Sequence, residues 1–225
     1  MLSTTTQALG GLRGAITGWW YDLPVEIPAE LSDETITGAD LQSERIESAK
    51  YERVTFIDVD FTDTTFQAST FTECTFRRCD FAGTKHRGSA YLNCQFFECG
   101  FFAASYDGCK LTGSTIKSST LRQVKIRSGA WDFMTLRNVT LDGCSLREVR
   151  MTESDLTGLK ARRVEFRDVD LTSAVLADAD LREADLRGSV LYSVDPAETL
   201  LGGAIVTADQ AIVLAANLGL DVRAD

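Results

Sequence analysis

Residues able to do chemistry are few in this 225-residue chain, and most fall on a regular grid. His86 is the single histidine; an imidazole can serve as a base, a metal ligand or a packed polar group. Six cysteines stand at positions 74, 79, 94, 99, 109 and 144, and two pairs have a C-x4-C spacing that zinc sites also use. Acid pairs such as Asp58 with Asp60 and Asp178 with Asp180 have the composition of a glycosidase centre. All of these positions recur at multiples of five or keep one place within a five-residue unit. No nucleophile elbow, phosphate loop or metal-ligand set accompanies them. The expectation is a protein without catalysis, without a metal and without a cofactor.

The elements that position these residues follow from the grid. From Ile36 to Leu191 every fifth residue is large and apolar, with His86 and Ala161 as the exceptions. A period of five matches neither the 3.6 of a helix nor the 2.0 of a strand. A second column, two residues earlier, is mostly small: Val54, Val59, Thr64, Ser69, Cys74, Cys79 and onward. One small and one large inward position per five residues describes a coil that turns a corner at each unit. The six cysteines all lie in the small column, where they read as buried apolar groups in a reducing cytoplasm. Cys74 with Cys94, and Cys79 with Cys99, are one coil apart, a spacing that also permits a disulfide. His86 takes an inward large position and reads as packed rather than catalytic.

The units Ala179-Asp180-Leu181-Arg182-Glu183 and Ala184-Asp185-Leu186-Arg187-Gly188 resemble the consensus of the pentapeptide-repeat family. That resemblance implies an all-β fold, a right-handed quadrilateral parallel β-helix with four units per coil. Residues 36–195 would form about eight coils, preceded by an N-terminal extension over 1–35 and followed by a C-terminal module over 196–225. Trp19, Trp20 and Tyr21 with Pro24 and Pro28 are expected to fold over the first coil. Thr207 to Gln210 reads as a capping box and Gly219 as a helix stop. Ile205, Ala211, Ile212, Leu214, Ala215 and Leu218 supply more apolar surface than a small cap needs, which points to a two-fold homodimer. No run of apolar residues is long enough to span a membrane, and the chain is expected to be cytoplasmic.

Charge carries the rest. The net charge of −10 is uneven: residues 110–163 hold eleven bases and five acids, whereas 36–107 hold eleven acids and seven bases. Asp40, Asp60, Asp63 and Asp80 form an acidic stripe on the Leu41 face, and Arg127, Arg147, Arg167 and Arg187 stack on the Ile46 face. A rod with regularly spaced carboxylates can imitate duplex phosphates, and the same carboxylates also serve solubility. Lys85 to Phe96 and Leu201 to Thr207 resemble the mycobacterial fluoroquinolone-resistance pentapeptide proteins. That resemblance implies a DNA mimic whose partner is DNA gyrase or topoisomerase IV, with no direct contact to nucleic acid. The alternative is a scaffolding module that binds another protein through the arginine face.

Overall fold

A computed structural model describes residues 27–223 of the chain. The tryptophan pair expected to cover the first coil lies outside them. The described chain is a parallel β-solenoid closed by one C-terminal helix, Ala208–Asn217. Its strands are mostly three residues long, and each pairs with the strand twenty residues on: Phe56 with Phe76, Phe76 with Phe96, and Phe96 with Ile116. Two backbone bonds recur. The amide of Leu41 donates forward to the carbonyl of Asp60 at 2.8 Å, and that of Lys50 donates back to Ala29 at 2.7 Å. Among the described residues the pairing runs from Glu30 with Lys50 to Asp185 with Ile205. The coil therefore extends beyond 36–195 at both ends, because Leu31, Leu201 and Val206 still pack against the core.

Each corner is made the same way. The residue two places after the large inward one is left-handed, with φ of 51° at Arg53, 54° at Asp58 and 49° at Ala68. That conformation costs an L-residue roughly 1–2 kcal/mol. It is offset because the corner amide joins the ladder, as Ala68 does to Arg87 at 2.9 Å.

Inside, the stagger of one coil sets the spacing of the rings. Phe56, Phe76 and Phe96 stack with centroids 4.9 and 4.8 Å apart and planes 4° apart. The small column has a rule of its own. Ser69, Ser114 and Ser189 donate their hydroxyls to the carbonyls of Ile46, Tyr91 and Phe166, twenty-three residues back. Cys74, Cys94, Cys79 and Cys99 place their thiols on the equivalent carbonyls of Tyr51, Phe71, Phe56 and Phe76 at 3.4–3.5 Å. Cysteine is thus used here as a small donor of low polarity, and all six cysteines are free thiols.

The last coil has no successor to receive its carbonyls, and the helix supplies donors instead. Thr207 and Gln210 form the reciprocal capping box. The Gln210 side-chain amide donates to the carbonyls of Leu186 and Ser189, both at 2.7 Å. Asn217 donates to that of Val194 at 2.8 Å.

Gly129 is where the coil tolerates no side chain: φ is +108°, and a Cβ would lie 2.1 Å from the Cys109 carbonyl oxygen. Gly129→Ala should lower stability by roughly 2–3 kcal/mol in urea unfolding. Ala68→Gly, at an exposed left-handed corner, should stay within about 1 kcal/mol of wild type or exceed it.

Candidate interaction surfaces

His86 shows why the single imidazole is not a catalytic group. It is 1% exposed, with its ring stacked 4.9 Å from Phe66 and 4.1 Å from Tyr106. Thr84 gives its hydroxyl proton to the Phe81 carbonyl at 2.8 Å, so it accepts from His86 Nε2–H at 3.0 Å. Nδ1 then accepts from the Tyr91 hydroxyl at 2.7 Å. Both ring nitrogens are satisfied in the neutral form, and burial pulls the pKa from 6.5 down to about 3. Burial likewise pushes the Cys144 thiol up to about 11, away from the thiolate that nucleophiles and metal ligands need. No group of three histidine, cysteine or acidic side chains converges to hold a metal among the described residues.

The acidic stripe resolves into a ladder and one outlier. Asp40, Asp60 and Asp80 occupy successive rungs of the Leu41 face, and Gly100 follows them. One oxygen of each accepts the amide two residues on, from Gln42 at 3.1 Å, Thr62 at 2.8 Å and Ala82 at 2.9 Å. No lysine or arginine among the described residues forms an ion pair with them, and the exposed ring of Phe102 stands just beyond. Asp63 differs from expectation. It sits on the corner next to Gly83, with φ of 59°, because the place two residues after the large inward one is the turn.

Arg127, Arg147 and Arg167 do lie in register one coil apart. Their charges are largely spoken for: Arg147 pairs with Glu165 at 2.6 Å, Arg187 with Asp185 at 2.7 Å, and Arg167 reaches Asp185 at 3.6 Å. Arg127 has no carboxylate partner among the described residues.

The C-terminal set divides in two. Ile205, Ala211, Ile212 and Leu218 are exposed, and Leu220 and Val222 extend their patch. Leu214 instead packs against the core and Ala215 is half-buried. The helix must turn one face inward to place Gln210 over the last coil, and Leu214, four residues on, shares that face.

One buried charge escaped the sequence. Asp132 is 4% exposed and is gripped by Arg150 at 2.5 and 2.8 Å and by the Thr152 hydroxyl at 2.8 Å. Burial opposes its ionisation, but these bonds outweigh it and hold the carboxyl below the usual range. The only signal was an aspartate at a place that holds threonine in Thr72, Thr112, Thr152 and Thr172.

His86 yields a pH test. The unfolded chain takes up a proton below 6.5 and the folded one does not until about 3. The contribution of neutral His86 is therefore present above 6.5 and is lost towards 3, at about 1.4 kcal/mol per pH unit. His86→Phe keeps the stack and cannot titrate. The urea-unfolding stability of wild type relative to His86→Phe should fall steadily between about pH 7 and pH 4. A constant gap would mean that the folded imidazole takes up its proton no later than the unfolded one.

The family model for pentapeptide repeats matches eight copies, over residues 52–85, 135–168, 151–188 and 165–195. No curated protein matches the chain. Among solved structures it is similar to trypsin-treated QnrB1, a plasmid-mediated fluoroquinolone resistance protein. That match has 18% identity and a TM-score of 0.46, and covers 87% of this chain and 100% of that one. It is also similar to HetL of the cyanobacterium Nostoc sp. strain PCC 7120, a pentapeptide repeat protein involved in heterocyst differentiation regulation. There the identity is 19% and the TM-score 0.34, covering 78% of this chain and 84% of HetL. Matched repeats and a twenty-residue ladder made of four five-residue units agree: the chain belongs to the pentapeptide-repeat family.

Proposed function

We propose that this protein is a non-enzymatic DNA mimic that occupies the DNA-binding groove of a type II topoisomerase, either DNA gyrase or topoisomerase IV. In doing so it would protect the enzyme from poisons such as quinolones or a self-made antibiotic. The observation that carries this reading is the ladder of Asp40, Asp60 and Asp80. Like charges placed directly opposite across strands are unfavourable, and no arginine or lysine among the described residues relieves them, although the chain pairs many of its other carboxylates. A line of negative charge on a stiff rod attracts a groove built to neutralise phosphates. Phe102, at the end of the line, offers an aromatic anchor. The motifs at 85–96 and 201–207, which resemble the fluoroquinolone-resistance group, point the same way. Buried thiols suit a reducing cytoplasm.

In this reading the protein works as a two-fold dimer through Ile205, Ile212 and Leu218. No helix of the described residues is long and apolar enough to cross a membrane. A second reading, a scaffold that binds an acidic protein, takes Arg127 as its centre, since that guanidinium has no carboxylate partner. It predicts that a partner is retained on wild type and lost on R127E/R147E, with gyrase unaffected.

Two experiments test the main proposal. Purified protein should inhibit gyrase supercoiling or reduce quinolone-stabilised cleavage, and D60K/D80K should weaken that effect at least about tenfold. If wild type neither inhibits nor protects gyrase or topoisomerase IV, the reading is wrong. Ile212→Glu with Leu218→Glu should convert a dimer to a monomer in sedimentation without loss of the β spectrum. A wild type that sediments as a monomer removes the dimer from the proposal.

A further inference from the structure

The Leu41 face has one break in its ladder. On the Leu41 face, bridges join residues 40, 60, 80, 100 and 120 in turn and resume from 140 to 160, 180 and 200. No bridge joins Thr120 to Thr140. The amide of Lys160 donates to Val139 at 2.8 Å and that of Thr120 to Cys99 at 3.0 Å. The amide of Thr140, between them, has no acceptor among the described residues. The amides of Ser118 and Gly143 also lack the bonds that their counterparts Glu98 and Gln123 make at 3.2 and 2.7 Å. Ser119 is the small-column residue at this point. It is only half-buried, and it turns its hydroxyl to its own neighbour's carbonyl, Lys117, at 3.0 Å. The two coils separate at this corner and pair again one residue on, Leu121 with Leu141 and Arg122 with Asp142.

The parting opens a cleft of about 670 Å³, the size of small-molecule sites. Lys117, Arg122, Arg137, Lys160 and Arg162 line it, with Asp142 as the one carboxylate. Arg122 spans the opening to Asp142 at 3.3 Å, Arg137 turns to Asp155 at 2.9 Å, and Arg162 turns to Glu183. Lys117 and Lys160 have no ion-pair partner among the described residues. Lys117 and Arg137 occupy facing places on successive coils, where like charges repel. A rung of backbone bonds has been given up around a concentration of positive charge, leaving amide donors beside uncompensated ammonium groups. That combination is the chemistry of phosphate recognition.

We propose that this cleft binds a phosphorylated small molecule carrying two or more phosphate groups. Lys117 and Lys160 supply the charge, and the Ser118 and Thr140 amides supply the directed donors. The site lies across the corner between the Ile36 and Leu41 faces, with Thr120 two rungs beyond Asp80 on the Leu41 face.

Calorimetry on the full chain at low salt, with inorganic pyrophosphate and with ATP as probes, tests this. Saturable one-to-one binding is expected, weakened at least about tenfold by K117E/K160E and unchanged by K110E, which alters charge on the Tyr51 face. Tighter binding of ATP than of pyrophosphate would assign the site to nucleotides, and equal binding would assign it to inorganic polyphosphates. Hydrogen exchange at the Thr140 amide should be faster than at Lys160 in the free protein and should slow on binding. The proposal is overturned if neither probe binds, if K110E weakens binding as much as K117E/K160E, or if short duplex DNA binds the cleft in their place. Slow exchange at Thr140 in the free protein would overturn it as well.

Discussion

Backbone pairing between residues twenty apart is the constraint on which everything else in this protein rests. Apart from short turn bonds such as that of Thr64 to Phe61, the amides and carbonyls of each coil are satisfied by the coils before and after it. The spacing of parallel strands, about 4.8 Å, then becomes the spacing of every side-chain column. It sets the separation of the Phe56, Phe76 and Phe96 rings, the rungs of Asp40, Asp60 and Asp80, and the stacking of Arg127 on Arg147. The left-handed corners are tolerated for the same reason, since each corner amide closes one more ladder bond.

The constraint also explains which residues the interior accepts. A narrow coil leaves room for one large and one small side chain per unit, and the small one lies within reach of a carbonyl of the previous coil. Serine, threonine and cysteine can donate there, whereas alanine and valine only fill the space. His86 is accommodated because Thr84 and Tyr91 satisfy both of its nitrogens in the neutral state. Free ends of the ladder demand partners. At the C-terminus Gln210 and Asn217 act as those partners, which is why the helix lies where it does and why Leu214 turns inward.

Departures from the ladder are where chemistry can enter. Along the outside, charges one coil apart are either matched, as Arg53 is with Asp33 and Arg78 with Asp58, or left to repel. Two concentrations of like charge have different structural outcomes. The acidic rungs keep their backbone pairing, helped by aspartate oxygens that cap their own turns, and the surface stays a continuous line. The basic set around Lys117 and Arg137 loses a rung and opens a cleft. Carboxylates close to the main chain can hold local amides, and long cationic side chains cannot.

The sequence alone determined the coil, because a five-residue beat of large apolar residues has one economical way to be buried. It also showed that the cysteines and acid pairs belong to the repeat, and that Thr207 and Gln210 begin a capping helix. Tertiary structure decided what depends on contacts between coils. The ladder already includes Glu30, because Leu31 finds Tyr51 beneath it. Asp63 leaves the acidic line for a corner, and Leu214 leaves the exposed patch for the core. Asp132 is buried against Arg150, and the coils separate between Thr120 and Thr140. A repeat fixes which way each side chain points, but whether neighbouring coils attract, pair or part is set by side chains twenty residues away.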